Sequence, residues 1–283
     1  MTIKIVTDST SDLPQSYADQ HDITMVPLYI NFGDQSYLDG VELTREEFYK
    51  KLPDHPIPPT TSVPSVEMFQ NTYQKLSAEG ADQILSIHIA SSLSATIDVA
   101  RSALETLTDV PVTVFDAGQI TLGTGLLAIV AAQAAASGKT MEEIVSMLKE
   151  KASRTYSFAA LDTLEYLRRS GRASRFQSTV GSLLSIKPLL SMHDGKMDVD
   201  RVRTEKGAIE WLMDNLTNLH PFEELALVHT NALDKVQAFR QRAYPFLPIG
   251  KEPIIAEVTP IIGTHVGPGA VGFSCIAKGI TNP

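Results

Sequence analysis

Near its N-terminus the chain reads IKIVTDSTSD, residues 3–12. The first part, Ile3 to Thr7, is an apolar β-rich run, and hydroxyl and carboxylate side chains follow it at once. Such a run predicts a buried strand that ends in a polar turn. Further along the chain, similar runs occur at 23–30, 83–89 and 111–115, and helical patterns between them occur at 45–52, 66–79, 94–107 and 122–137. This alternation is typical of an α/β fold with a parallel sheet covered on both faces.

The second half of the sequence has a different pattern. A strand is predicted at 157–161, after which Asp162 is predicted to cap a short helix that ends near Ser170. Asp194 and Gly195 separate two β-rich runs and predict a hairpin, because they adopt a positive-φ turn readily. The other predicted elements are hairpin strands at 186–192 and 197–203, helices at 205–219 and 233–244, and strands at 225–229, 254–258 and 270–277. We therefore predict two α/β domains, residues 1–155 with a parallel sheet and residues 156–283 with a mixed sheet that contains the hairpin.

The composition excludes several classes of protein. Of the 283 residues, 43% are hydrophobic and 20% are charged, which is typical of a globular chain with a full core. The formal charge of −9 disfavours a general binder of nucleic acid or of anionic membranes. A single cysteine, Cys275, excludes an intrachain disulfide and a multi-thiolate zinc site, and the seven His residues lack metal-ligand spacing. Since no basic segment precedes the first apolar run, we expect a cytoplasmic protein.

Some sequence patterns imitate functional motifs. The GKT at 138–140 resembles the end of a phosphate-binding loop, but Gln133 stands where that motif needs Gly. Gly123 and Gly125 imitate a dinucleotide fingerprint, yet they lie too far from the preceding strand, so we interpret them as small residues for close helix packing. The uncharged stretch 117–138 is rich in Ala and predicts a buried helix rather than a membrane span. The sequence has no Gly-x-Ser-x-Gly motif, which weakens a serine-hydrolase interpretation.

Hydroxyl-rich residues form four clusters at predicted strand ends or in loops. They lie at 7–12, 60–65, 91–96 and 264–270. Each cluster alone is explained by ordinary helix capping, but loops beyond the carboxyl ends of parallel strands face a common crevice. Together the clusters therefore predict a pocket, with His265 beside a Gly-Pro-Gly turn whose amides are exposed. The clusters at 60–65 and 91–96 contain no Lys or Arg, so the pocket suits a carboxylate better than a phosphate and indicates binding rather than catalysis.

Taken together, these and further motifs resemble the DegV family of bacterial fatty-acid-binding proteins, the lipid-carrying subunits of fatty acid kinase. The resemblance extends over essentially the whole chain, and its motifs are specific when they are taken together. Its motifs are VTDSTSDL at 6–13, TTSVPS at 60–65, IASSLSAT at 89–96, LEYLRRSGR at 164–172, IKP at 186–188, RVRT at 201–204 and GTHVGPGA at 263–270.

The resemblance implies two α/β domains that enclose one long-chain fatty acid between them. Its carboxylate is expected to be held by hydroxyl groups, with an imidazole near the head group. The expected ligand-binding residues are Thr61, Ser62, Ser94, His265, Ser9 and Thr264. We predict that Thr61, Ser94 and His265 converge at one pocket mouth with apolar residues behind them.

The resemblance also implies that a separate ATP-dependent kinase converts the presented carboxylate to an acyl-phosphate. The sequence contains no nucleotide motif, in line with that division, so we expect a non-catalytic subunit with no cofactor. Arg169, Arg172 and Arg203 are the expected kinase-binding residues; Arg172 follows the predicted helix stop at Gly171, so the helix dipole does not explain it. Transient exchange of the ligand with a membrane is a further expectation, and nucleic acid is not an expected partner.

Two other functions stay open at the level of sequence. One is an acyl hydrolase or transferase that uses Ser94 as nucleophile and His265 as base. The other is a lipid carrier that acts without a kinase. Two residues also depart from the family pattern: Ala95 stands where Gly is usual and is expected to narrow the approach to the head group, and Ile97 stands where Tyr is common and is expected to change the pocket wall.

Overall fold

The computed structural model of the chain describes residues 1–106, 109–171, 186–248 and 250–279. Within these ranges the strands form a parallel sheet, a small antiparallel sheet and a larger mixed sheet. Helices pack on the two larger sheets, so the predicted α/β class, with a parallel sheet in the N-terminal part and a mixed sheet in the C-terminal part, is confirmed.

The parallel sheet belongs to the first 116 residues. Its strands are β1 (Ile3–Asp8), β2 (Ile23–Val26), β6 (Gln83–His88) and β7 (Val112–Asp116), in the order β2-β1-β6-β7. All neighbouring pairs run parallel. The carboxyl ends of β1, β6 and β7 therefore lie along one edge, where Asp8, His88 and Asp116 begin the loops that approach the site.

A small antiparallel sheet was not predicted. It contains β3 (Tyr29–Phe32), β4 (Gln35–Leu38) and β5 (Thr60–Ser62) in the order β4-β3-β5. The single strand predicted at 23–30 is wrong, since β2 ends at Val26 and β3 begins only at Tyr29. Pro27 explains the break, because proline has no N–H to donate to a strand ladder. The cluster at 60–65 begins as an edge strand rather than as a loop.

The helices of the first half lie near their predicted positions. They are α1 (Gln15–Gln20), α2 (Arg45–Lys51), α3 (Val66–Ala78), α4 (Thr96–Ser102), α5 (Leu122–Ala136) and α6 (Met141–Ala152). The sequence missed α1. Thr44 with Glu47 and Thr140 with Glu143 form the capping boxes that their spacing indicates. After α4 the chain makes only a 3-10 turn, so the long helix predicted at 94–107 is wrong at both ends.

The mixed sheet is built by the second half of the chain. Its strands are β8 (Thr155–Ala160), β9 (Lys187–His193), β10 (Lys196–Val202), β11 (Phe222–His229), β12 (Ile254–Glu257) and β13 (Val271–Ala277), in the order β10-β9-β8-β13-β11-β12. Only β11 and β12 pair in parallel. The predicted hairpin is β9–β10, with Asp194 and Gly195 at φ values of 46° and 71° in its turn.

The helices of the second half are α7 (Glu165–Arg169), α8 (Glu205–Leu219), α9 (Leu233–Ala243) and α10 (Pro260–Val266). The predicted capping role of Asp162 is wrong: Thr163 Oγ1 accepts from Glu165 N (3.1 Å), while Asp162 forms an ion pair with Lys187. Helix α10 was predicted as a loop. Its start signal is Pro260 in the first turn, where a missing N–H costs nothing.

Helix α5 packs against strands of both large sheets. Its residues share one apolar core with Ile5 and Leu85 of the parallel sheet and with Ala226 and Ile276 of the mixed sheet. The change from parallel to mixed sheet falls between Asp116 and Thr155, but α5 belongs to the core of both, so the domain division at 155/156 stays a prediction. No helix in the described residues is long and apolar enough to cross a membrane.

Candidate functional site

A cavity of about 340 Å³ opens between the two halves of the chain. Its polar wall residues are Thr10, Thr61, Ser62, Ser94 and His265. Its other wall residues are Leu28, Val63, Ile89, Leu93, Ala95, Ile120, Leu167, Leu190, Met197, Ile261, Ile262 and Val266. The sequence predicts convergence of Thr61, Ser94 and His265, and the structure brings all three into this wall. We call the part of the cavity wall formed by these five polar residues the mouth.

At the mouth, Thr61 and His265 face each other from different elements. Thr61 lies on the edge strand β5, and His265 lies in the last turn of α10. The Thr61 Oγ1 to His265 Nε2 distance is 3.1 Å, which is hydrogen-bonding distance. The two residues are 204 positions apart in the chain, so only the tertiary structure makes this pair.

Ser62 and Ser94 are held by hydrogen bonds on their own sides of the mouth. Ser62 Oγ accepts from Asn31 Nδ2 (2.8 Å) across the β3–β5 pair. Ser94 Oγ lies 2.9 Å from Thr96 Oγ1 at the start of α4 and also accepts from Thr96 N at 3.3 Å. Hydroxyl groups in these positions can turn to donate to an anion, since a hydroxyl hydrogen rotates freely.

Behind the mouth the cavity continues into an apolar interior. A second cavity of about 60 Å³ lies against β8, β11 and β13, with Phe158, Val228 and Val271 in its wall. The two cavities share the wall residues Ile120, Leu190, Met197, Ile262 and Val266, so they are adjacent; we call the two together the apolar path. His229 also lines the inner cavity, where burial lowers the pKa of its imidazole and therefore favours the neutral form.

Thr10 is a mouth residue that the sequence analysis did not select. It lies in the first hydroxyl-rich cluster, directly beside the selected Ser9. Its backbone N–H donates to Asp8 Oδ1 (3.0 Å), as does its hydroxyl group. Asp8 Oδ2 lies 2.8 Å from His88 Nδ1 and accepts from Ile89 N (3.3 Å). The buried Asp8 carboxylate thus joins the loops that follow β1 and β6. The sequence indicated Thr10 only as one member of the hydroxyl-rich cluster at 7–12.

Two selected residues lie away from the mouth. Ser9 is buried, its Oγ accepts from Leu28 N (3.1 Å), and it lines a different cavity of about 350 Å³. Thr264 is buried in α10 and donates to Pro260 O (2.9 Å). The geometry of α10 explains the placement of Thr264, because side chains of neighbouring helix residues point about 100° apart. His265 therefore faces the cavity and Thr264 faces the core.

The two departures from the family pattern differ in their placement. Ala95 lines the mouth cavity beside Ser94, as expected. Ile97 is fully buried and does not line the cavity, so the expectation that it changes the pocket wall is wrong. The physical reason is the helical direction of α4, which turns Ile97 away from the mouth.

The arginines expected at a partner surface lie outside the cavity. Arg169 is exposed on α7, where it bonds Glu165 at 2.7 Å and lies over the Tyr166 ring. Arg203 is exposed after β10 and lines a surface groove with Glu165 and Arg168. Arg172 lies outside the described residues, so its predicted role has no structural account here.

Two buried carboxyl groups lie near the start of α10. Asp12 Oδ1 accepts from Thr259 N at 2.7 Å, and Asp39 lies beside Ser9, Arg45 and Thr259. Burial is the largest effect on both, and it raises the pKa of Asp12 and the pKa of Asp39 to about 7. Arg45 opposes this rise without cancelling it.

The hydrogen bonds at the mouth pair its hydroxyl groups with neighbouring side chains. Ser94 Oγ pairs with Thr96 Oγ1, and His265 Nε2 pairs with Thr61 Oγ1. Residues 1–106, 109–171, 186–248 and 250–279 contain no cluster of three or more side chains suited to a metal ion. What the site offers is a set of hydroxyl groups and an imidazole in a cavity whose other wall residues are apolar.

These features define an α/β protein with an internal apolar cavity and a polar mouth. The sequence matches the family model described as "uncharacterised protein, DegV family" over residues 2–278, and the chain belongs to the DegV family. DegV domain-containing proteins of Streptomyces coelicolor and Caldanaerobacter subterraneus subsp. tengcongensis are 36% and 37% identical to it. Each match covers 95% of this chain, with 96% and 97% of the respective relative.

Solved structures of the same family are similar over their full length. A fatty-acid-binding DegV family protein of Thermus thermophilus has a TM-score of 0.89 at 32% identity. DegV of Bacillus subtilis, described as a fatty acid binding protein, has a TM-score of 0.87 at 30% identity. Each similarity covers 98% of this chain and 100% of the other chain.

Proposed function

We propose that the chain binds one long-chain fatty acid, with its carboxylate at Thr61, Ser62, Ser94 and His265 and its tail along the apolar path. One observation carries the proposal: the cavity with the polar mouth lies directly beside an apolar interior cavity and shares five wall residues with it. A long acyl chain with one terminal carboxylate has the same division between an apolar and a polar part. The fatty-acid binding described for the similar proteins of Thermus thermophilus and Bacillus subtilis supports the assignment.

The energetics of such a ligand favour different roles for the tail and the head group. Burial of a methylene contributes about 0.8 kcal/mol, so a tail of about fifteen methylenes contributes roughly 12 kcal/mol before the costs of association. A hydrogen bond to a charged group contributes about 1.5–3 kcal/mol. The tail therefore sets most of the affinity, and the mouth orients the carboxylate toward the opening.

Extraction of the purified protein under denaturing conditions, followed by mass spectrometry, tests this assignment. We expect one long-chain fatty acid per chain. Ile120→Trp, which fills the shared part of the path, should lower that amount or replace the acid by a shorter one. Leu233→Trp, an equal change at an exposed position on α9, should retain the wild-type content. A wild-type protein that carries no acyl compound and does not take one up from solution would refute the assignment.

We further propose that the bound carboxylate is presented to a separate ATP-dependent fatty acid kinase, which forms an acyl-phosphate on it. The absence of a nucleotide motif from the sequence supports a non-catalytic subunit. Arg169, Arg172 and Arg203 are the proposed kinase-binding residues. Exchange of the fatty acid with a membrane would supply the ligand.

Binding measurements with the purified kinase test this second step. Arg172→Ala and Arg203→Ala should retain bound lipid but weaken the kinase complex, and the wild-type association rate should fall with added salt. Arg242→Ala, an exposed arginine of α9, is the matched control. Variants that lose lipid but still bind the kinase would assign the arginines to the ligand instead.

A further inference from the structure

The segment that joins β12 to α10 is held by side chains from the N-terminal part of the chain. Three consecutive backbone groups take part in these contacts. Arg45 Nη1 donates to Glu257 O, Tyr49 Oη donates to Val258 O at 3.0 Å, and Thr259 N donates to Asp12 Oδ1 at 2.7 Å. The partners are more than 200 positions apart in sequence, so this junction between β12 and α10 is held entirely by tertiary contacts.

Helix α10 also packs closely on α2 at this point. A Cβ atom placed on Gly263 would lie 2.5 Å from Tyr49 Oη and 2.9 Å from the Phe48 ring. Only a glycine permits this approach, because a real Cβ essentially never lies within 3.0 Å of another heavy atom. Ile261 packs in one apolar cluster with Phe48, Tyr49 and Ile30. The hydroxyl of Tyr49 therefore lies in the contact that sets the position of α10 on α2.

The same packed unit carries both residues of the mouth pair. Thr61 of β5 is the register partner of Ile30 in β3, and Ile30 packs against α2. His265 follows Thr259 by six residues, which corresponds to about 9 Å along a helix. A shift of α10 on α2 would therefore move the His265 imidazole relative to Thr61.

We propose that Tyr49 is a positioning residue for the carboxylate site: its hydroxyl, through Val258 O, sets α10 so that His265 Nε2 meets Thr61 Oγ1. Asp12 acts in the same way through the N–H of Thr259. This inference rests on the proposed fatty-acid function for its consequence, but the geometry that it explains is present without a ligand. It assigns a role in head-group recognition to a buried tyrosine outside the described cavity wall.

The first test observes His265 without ligand, by NMR of the imidazole nitrogens in the full chain, with the signal assigned through His265→Gln. Thr61→Val defines the signal of an imidazole that has lost its Thr61 partner. In Tyr49→Phe we expect the His265 signal to shift toward that reference. Tyr37→Phe removes a hydroxyl that donates to Gln35 within β4, and it should leave the signal unchanged. An unchanged signal in Tyr49→Phe, or an equal shift in Tyr37→Phe, would overturn the proposal.

The second test compares a charged ligand with a neutral one of equal length. Tyr49→Phe should weaken palmitate binding between about twofold and tenfold, the range for loss of one hydrogen bond, and leave hexadecanol binding unchanged. Equal weakening of both ligands would indicate a general loss of packing and contradict the proposal. A wild-type protein that binds neither would refute the proposed function, while the NMR result would still decide the role of Tyr49.

Asp12 gives an independent pair of variants. Asp12→Asn keeps an oxygen that can accept from Thr259 N and should behave as wild type in both measurements. Asp12→Ala removes that acceptor and should reproduce the effect of Tyr49→Phe. Identical results for the two Asp12 variants would contradict a role through this hydrogen bond.

Discussion

The mouth offers an anion hydroxyl groups and one imidazole, and none of the described residues in its wall is a Lys or Arg. A carboxylate held this way keeps its charge near the surface without a fixed ion pair. Such an arrangement leaves the oxygen atoms accessible to a second reactant. At the residue scale, the proposed role of the mouth is therefore to orient the carboxylate, while the acyl tail supplies most of the affinity.

This separation predicts the outcome of removing single hydroxyl groups. Thr61→Ala and Ser94→Ala should each reduce fatty-acid affinity by about tenfold to 150-fold, the loss of one hydrogen bond to a charged group, and most of the affinity should remain because the tail supplies it. They should reduce kinase-coupled phosphorylation by a larger factor, because a misplaced carboxylate reacts poorly. Titration with a fluorescent fatty acid beside a coupled phosphorylation assay measures both. Thr217→Ala, whose hydroxyl bonds within α8, is the control; equal losses in the two assays would contradict the separation.

The buried carboxyl of Asp39 predicts a pH dependence of stability. Its pKa is raised from 3.8 to about 7 by burial, so folding favours the protonated form. This contribution to stability is fully present below the unfolded-state pKa and is lost as pH rises through about 7. Asp39→Asn should therefore raise the free energy of unfolding relative to wild type at pH 8, by an upper limit of roughly 4 kcal/mol, and change it much less at pH 4.

Urea unfolding of wild type and variant across this pH range measures the effect. The exposed Asp214→Asn on α8 is the matched control and should follow the wild-type curve. Parallel curves for wild type and Asp39→Asn would contradict a protonated Asp39 in the folded protein.

At the scale of elements, α5 shows why small residues were needed in an apolar helix. A Cβ on Gly125 would lie 2.8 Å from Ser11 O, and a Cβ on Gly123 would lie 2.5 Å from Ser157 Oγ. Ser11 and Ser157 lie in different halves of the chain, so α5 packs closely against both halves. The interpretation of the two glycines as packing residues, rather than as a dinucleotide motif, agrees with this geometry.

Gly125→Ala should therefore destabilise the protein. In an exposed helix the same change stabilises by about 1 kcal/mol, but here the new methyl group meets a backbone oxygen, and overpacking costs about 1–3 kcal/mol. Gly207→Ala in α8 is the comparison, because its nearest neighbour would be at 3.2 Å and is a side-chain hydroxyl. Thermal and urea unfolding measure both variants. A Gly125→Ala protein as stable as wild type would show that α5 can move away from Ser11.

At the scale of the whole molecule, the two adjacent cavities proposed to hold the ligand border β8, β13 and α10. A ligand in this position binds the folded state and not the unfolded chain. Removal of the fatty acid should therefore lower stability by about 2.7 kcal/mol if the ligand was present at 100 times its Kd. For a chain of this size that corresponds to a fall in Tm of roughly 4–5 °C.

Calorimetry before and after delipidation measures this change. Palmitate should restore the original Tm, whereas butyrate, which has the carboxylate without the tail, should not. Restoration by both acids would indicate that the carboxylate alone stabilises the fold, which contradicts the dominant role of the tail.

Local patterns predicted most of the regular elements. Alternating β-rich and helical runs indicated the parallel sheet, Asp194 and Gly195 indicated the hairpin, and hydroxyl–carboxylate spacing indicated the capping boxes. These features succeed because each depends on residues that are neighbours in the chain. The small sheet of β3, β4 and β5 and the helices α1 and α10 were missed; these elements are short, and β5 and α10 also depend on packing against β3 and α2.

The site residues also fall into two groups, those that the local sequence predicted and those that only the tertiary structure identified. Hydroxyl-rich clusters and the family resemblance were sufficient to select Thr61, Ser62, Ser94 and His265, because these residues belong to short sequence motifs. They could not separate Thr10 from Ser9 or His265 from Thr264, since adjacent residues differ only in the direction that the folded backbone gives them. Two contacts join residues more than 200 positions apart: the 3.1 Å contact of Thr61 with His265 and the hydrogen bond from Tyr49 to Val258 O before α10. Packing between the two halves of the chain decides such distances, and no short-range pattern encodes them.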